Sequence, residues 1–123
     1  MPSIATLRSG PGQAGRSESP PPRYAPAMYA IAIIRYRRPL EEVLVHLDAH
    51  RAHLRALRDA GTLLVSGPFD PRSGGLLLLR VPDHSAETLD RIRDTDPFVR
   101  EGVAQYELLP WLPNIGAEFL EKL

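Results

Sequence analysis

His50 occupies a position where a helix would be expected to bury leucine, and an imidazole there has more chemistry open to it than any of its neighbours. Leu40, Val43, Leu47, His50, Leu54 and Leu57 recur at steps of three and four, the spacing of one helical face. An imidazole on that stripe loses hydration and must find a hydrogen-bond partner. A ring anchored through one nitrogen keeps the other free to act as a base near neutral pH. His46 and His53 lie about one turn away on either side, so the three rings fall within roughly 60° around the helix and could face one cation. One straight helix seldom presents three ligands to the same ion, and no carboxylate completes a motif of the HExxH kind. No metal site is expected. Gly74-Gly75 lacks the spacing and the lysine of a phosphate cradle, so no nucleotide-type cofactor is expected either.

The elements that must position these residues follow from period and punctuation. Residues 28–36 (MYAIAIIRY) are rich in β-branched and aromatic types, with Tyr29, Ile31 and Ile33 on one side and Ala30, Ala32 and Ile34 on the other; both faces read as covered. Pro39 suits a first helical turn, and one long helix is expected to run from there to Ala60, where Gly61 supplies a left-handed stop. Leu63–Val65 reads as a short strand ending at Ser66-Gly67-Pro68, Asp70–Gly75 as a turn, and Leu76–Val81 as a third strand. Ser85 can cap a second helix carrying Leu89 and Ile92, with Glu87 and Asp90 in its early turns. Asp96-Pro97-Phe98 has the form of an N-cap followed by proline at the first helical position. Val103–Trp111 alternates as a fourth strand.

The order βαββαβ predicts an α+β, ferredoxin-like fold: a four-stranded antiparallel sheet with both helices on one face. The other face is too large to leave wet, which points to a homodimer formed through it. Residues 113–123, with Ile115, Phe119 and Leu120, read as a C-terminal arm that packs on the partner or on its own domain.

Composition narrows the function classes. The 123 residues suffice for one domain and one core. Fifteen basic residues balance fifteen acidic ones, so a nucleic-acid or anionic-lipid partner is not expected. The absence of cysteine excludes disulfides, thiolate metal sites and a cysteine nucleophile, and permits the cytoplasm, which is the expected location. No apolar run approaches the roughly 20 residues of a membrane span. Residues 1–27, with six prolines, the three glycines Gly10, Gly12 and Gly15, and no apolar period, are expected to be a disordered, dispensable extension; Met28 falls where the ordered pattern begins.

His50-Arg51-Ala52-His53-Leu54, then Leu63-Leu64-Val65-Ser66-Gly67-Pro68, and later Asp96-Pro97-Phe98-Val99-Arg100-Glu101-Gly102-Val103, occur in an order that resembles the YCII-related (YciI-like) family over residues 28–112. The resemblance implies a dimeric α/β barrel with a His–Asp pair in a pocket, carried here by His50 and Asp96. The Pro71-Arg72-Ser73-Gly74-Gly75 turn resembles one found in a branch of the family and implies that Arg72 and Ser73 stand near a pocket mouth. A carboxylate bonded to one imidazole nitrogen fixes the tautomer and raises the basicity of the other. Ser66, Gly67, Pro68, Arg72 and Ser73 are the expected substrate-binding residues: Gly67, with Gly61, admits close backbone approach, Ser66 exchanges hydrogen bonds, and Arg72 holds a carboxylate or enolate oxygen. The matching reaction is proton abstraction next to a carbonyl, leading to isomerisation or elimination from a small oxygenated substrate. The alternative is a non-catalytic dimeric module that binds a ligand or partner and keeps the same pair for structure.

Overall fold

The β-branched run after Met28 forms β1 (Met28–Tyr36), an inner strand of the sheet in a computed structural model that describes residues 28–123. The expectation of a disordered 1–27 extension lies outside the described residues. After β1 come α1 (Leu40–Leu44), α2 (Leu47–Asp59), β2 (Leu63–Pro68), β3 (Gly74–Val81), α3 (Ala86–Asp94), α4 (Pro97–Arg100), β4 (Ala104–Trp111) and a 3-10 turn over Ala117–Lys122. The sheet runs β2-β3-β1-β4 with every pairing antiparallel. This is the expected α+β arrangement, with each helical crossover divided in two.

The division of the first crossover corrects the expectation of one helix to Ala60. Pro39 stands at the N-cap of α1, not within its first turn. The His46 N–H then donates to Val43 O three residues back, and His46, at φ −102° and ψ 10°, becomes the N-cap of α2. A tightened turn of this kind leaves the apolar spacing almost intact, so periodicity does not reveal it. Gly61 does adopt a left-handed conformation (φ 83°) and ends α2. Ser85 caps α3 by accepting from the Thr88 N–H at 3.2 Å, as its type and position predict.

The two hairpin strands extend beyond their expected limits. β2 continues through Ser66-Gly67-Pro68, and β3 begins at Gly74, so both glycines belong to the sheet and not to the turn. A Cβ on Gly74 would lie 1.8 Å from Ile34 O, and one on Gly75 would lie 2.7 Å from Gly67 O. Only glycine allows the strands to approach this closely.

Alternation separates two unlike faces. Ala30, Ala32 and Ile34 of β1, Leu77, Leu79 and Val81 of β3 and Tyr106 of β4 face the helices and join Val43, Leu89, Ile92 and Phe98 in one core. On the opposite face Ile31, Ile33, Leu76 and Leu78 are half-buried, and Val65, Leu109 and Trp111 keep 52%, 39% and 38% of their surface. Within one chain the expected cover on this face of β1 is complete at Tyr29, which is buried, and partial at Ile31 and Ile33. The C-terminal segment packs back on its own domain, where Arg80 Nη2 donates to Leu120 O at 2.6 Å, while Ile115 and Phe119 remain exposed.

Candidate active site

His50 and Asp96 meet although 46 positions separate them. The stripe of α2 turns His50 toward the core, where it is 7% exposed, and its Nδ1 lies 2.9 and 3.0 Å from the two carboxylate oxygens of a fully buried Asp96. Asp96 is placed by the start of α4. It is the N-cap, its Oδ1 accepts the Phe98 N–H at 2.9 Å, and Pro97 follows at the first helical position. Capping and pairing are performed by one carboxylate. The Phe98 ring stacks on the imidazole with centroids 3.8 Å apart and planes 3° from parallel, and Tyr36 meets Phe98 edge-on at 5.9 Å.

A third donor completes the carboxylate's surroundings: the Tyr106 hydroxyl, from β4, donates to Asp96 Oδ2. Burial acts to raise the Asp96 pKa, but the hydrogen bonds from His50 and Tyr106, with the His50 charge and the Phe98 N–H, outweigh it and hold the carboxyl below its ordinary value. Tyr106 moves the other way. Burial first, then the adjacent Asp96 carboxylate, raises its pKa, so the phenol keeps its proton. An ionised Asp96 can only accept, so His50 Nδ1 carries the hydrogen toward it and a neutral ring has its lone pair on Nε2.

His50 lines a cavity of about 220 Å³ and Asp96 does not, so the ring stands between carboxylate and cavity. Leu47, Arg51 and Leu54 of α2 form one wall; Ser66, Gly67 and Pro68 of β2 form another; Gly74–Leu77 of β3, Ile34, Tyr36, Phe98 and Arg72 complete it. Among the described residues the lining is mainly apolar, with two arginines, Arg51 and Arg72, and no acidic side chain. Arg72 Nε donates a long 3.4 Å bond to the Tyr36 hydroxyl, which ties the turn between β2 and β3 to the end of β1. A Cβ on Gly67 would meet nothing within 4 Å, so the missing side chain leaves room.

Of the residues expected from sequence, His50, Ser66, Gly67, Pro68 and Arg72 come together at this cavity, with Asp96 behind the imidazole. Ser73 does not line it: its N–H donates to Pro71 O and its carbonyl accepts the Tyr36 N–H. Gly61 is likewise absent from the lining and serves to end α2. His46 and His53 do not join His50 there; His53 is half-buried, and its Nε2 is shielded with no hydrogen-bond partner among the described residues. Sequence reasoning missed Tyr36, Arg51, Phe98 and Tyr106. Phe98 lies inside the Asp96-Pro97-Phe98 motif, whereas Tyr106 carries no signal beyond its place in the inward alternation of β4.

A family model described as the YCII-related domain matches residues 28–112. No curated protein matches the chain. Among solved structures, a 5-chloro-2-hydroxyhydroquinone dehydrochlorinase from Burkholderia phenoliruptrix, in complex with 2,5-dihydroxybenzoquinone, has a similar fold with a TM-score of 0.57 and 22% sequence identity. The likeness covers 70% of this chain and 96% of that one.

Proposed function

From the premise that the chain belongs to the YCII-related domain family, we propose that it is a small-molecule enzyme in which His50 and Asp96 transfer a proton. One observation carries the reading: a buried imidazole has Nδ1 on a carboxylate at 2.9 Å and its ring at the wall of a cavity. Asp96 holds the tautomer and stabilises the imidazolium, and Nε2 takes a proton from carbon next to a carbonyl. Arg72, with Arg51 also in the lining, stabilises the oxygen on which negative charge develops, and Ser66 adds a hydroxyl. Returning the proton elsewhere gives isomerisation; expelling a leaving group gives elimination. The named activity and quinone ligand of the similar solved structure support the elimination branch and a small ring-derived, oxygenated substrate. The protein acts as a homodimer joined through the open sheet face.

The reading is tested by deuterium exchange. Small hydroxy, keto and dicarboxylic acids and 2,5-dihydroxybenzoquinone are screened by thermal shift, and those that raise Tm are incubated with the protein in D2O. Native protein is expected to place deuterium next to the carbonyl, and His50→Ala to slow this by about 100-fold or more. Equal exchange by the two proteins at equal ligand occupancy would end the proposal.

A further inference from the structure

Asp96 receives three donors from three directions: the His50 ring of α2, the Phe98 N–H of its own capped turn, and the Tyr106 hydroxyl of β4. The first is the group to be oriented and the second fixes only Oδ1. The carboxylate can still pivot about the axis through that oxygen. Such a rotation would carry Oδ2 away from the imidazole, whose Nδ1 lies almost equally near both oxygens, at 2.9 and 3.0 Å. Tyr106 is the contact that opposes it. Its ring is 7% exposed and packed in the core on the helix-facing side of β4, opposite Ile34, and it is not part of the cavity lining.

We propose that Tyr106 is a positioning residue for the His50–Asp96 pair: by holding Oδ2 from the sheet side, it keeps the carboxylate turned to His50 Nδ1 and so keeps Nε2 as the basic nitrogen facing the cavity. This rests on the proton-transfer reading for its consequence, but the geometry it asserts is separate from any turnover. The phenol is a dependable donor here, since burial and the neighbouring carboxylate both keep its proton in place. A tyrosine needed only for core volume would be replaced by phenylalanine without effect on the imidazole. Tyr106 differs from that case because its hydroxyl is spent on the same carboxylate that orients the ring.

Nuclear magnetic resonance of the full chain decides the matter. In native protein at high pH the His50 ring nitrogens are expected to report one tautomer, hydrogen on Nδ1, with a slowly exchanging Nδ1–H. The charged and titratable groups facing the pair are Tyr106 from β4 and Arg51, Arg72 and Tyr36 at the cavity, so variants are compared with these and the pair itself unchanged except at position 106. Tyr106→Phe is expected to mix the tautomers and to speed Nδ1–H exchange by about tenfold. A folded Tyr106→Phe protein with the native tautomer and exchange rate would overturn the proposal. Should that variant fail to fold, 3-fluorotyrosine placed at position 106 keeps the ring and strengthens the donor. It is expected to lower the pH midpoint of the Asp96 carboxyl carbon further and to slow Nδ1–H exchange, and no change in either would also overturn the proposal. These signals need no substrate, so a native His50→Ala exchange result in D2O removes the enzymatic reading while leaving this one standing.

Discussion

Asp96 carries more of the local structure than its single charge suggests, because it caps α4, orients His50 and accepts from Tyr106 while fully buried. Asp96→Ala leaves three donors without a partner and is expected to cost about 3 kcal/mol, measured by urea unfolding. The acid limb of stability follows from the same contacts. The folded pKa of Asp96 lies below the ordinary 3.8, so its contribution is complete above about pH 3.8 and is lost as pH falls through the folded value. Asp96→Asn is expected to flatten unfolding free energy against pH in that acid range; an unaltered acid limb would contradict the assignment. His50 was legible because a polar ring on an apolar stripe breaks a period, whereas Asp96 was reached as its partner only through the family resemblance, Asp-Pro-Phe by itself having the form of a helix cap. Tyr106 was not, since a tyrosine on the inward side of a strand satisfies packing rules whether or not its hydroxyl has a task.

At the scale of elements, the cavity depends on strands brought unusually close at their glycines. Gly74→Ala puts a Cβ 1.8 Å from the Ile34 carbonyl oxygen, so β1 and β3 must separate where they form the cavity floor. The expected result is a loss of about 2–4 kcal/mol by thermal or urea unfolding, with weakened ligand binding. Ser85→Ala, outside the cavity lining, removes the α3 cap and is expected to cost about 1 kcal/mol without altering ligand binding. Among the described residues, sequence period and punctuation identified each strand and the main helices, because alternation and the three-to-four spacing are local properties. It missed the break between α1 and α2 and the membership of Gly74 and Gly75 in β3. Glycine pairs between apolar runs read as turns until the partner strand, and the space it leaves, are known.

For the whole molecule the open sheet face is the feature left to explain. Ile31, Ile33, Leu76 and Leu78 form a half-buried apolar centre, flanked by exposed Val65, Leu109 and Trp111. Covering it with the same face of a second copy gives a closed, self-complementary assembly. Leu78→Glu is expected to shift the protein from dimer to monomer in sedimentation experiments and to lower Tm; a native protein that sediments as a monomer at micromolar concentration would oppose this. Among the described residues no helix is long and apolar enough to cross a membrane. The residues of the chain by themselves determined the βαββαβ order, the two-faced sheet and the anomaly at His50, since each is written in spacing along the chain. Only the tertiary structure decided that Asp96 lies 2.9 Å from that ring, that Tyr106 stands behind it, and that Ser73 is not among the residues lining the cavity. Those depend on how α2, the cap of α4 and β4 converge in space, and convergence of distant segments is set by packing of the whole core, which no local period encodes.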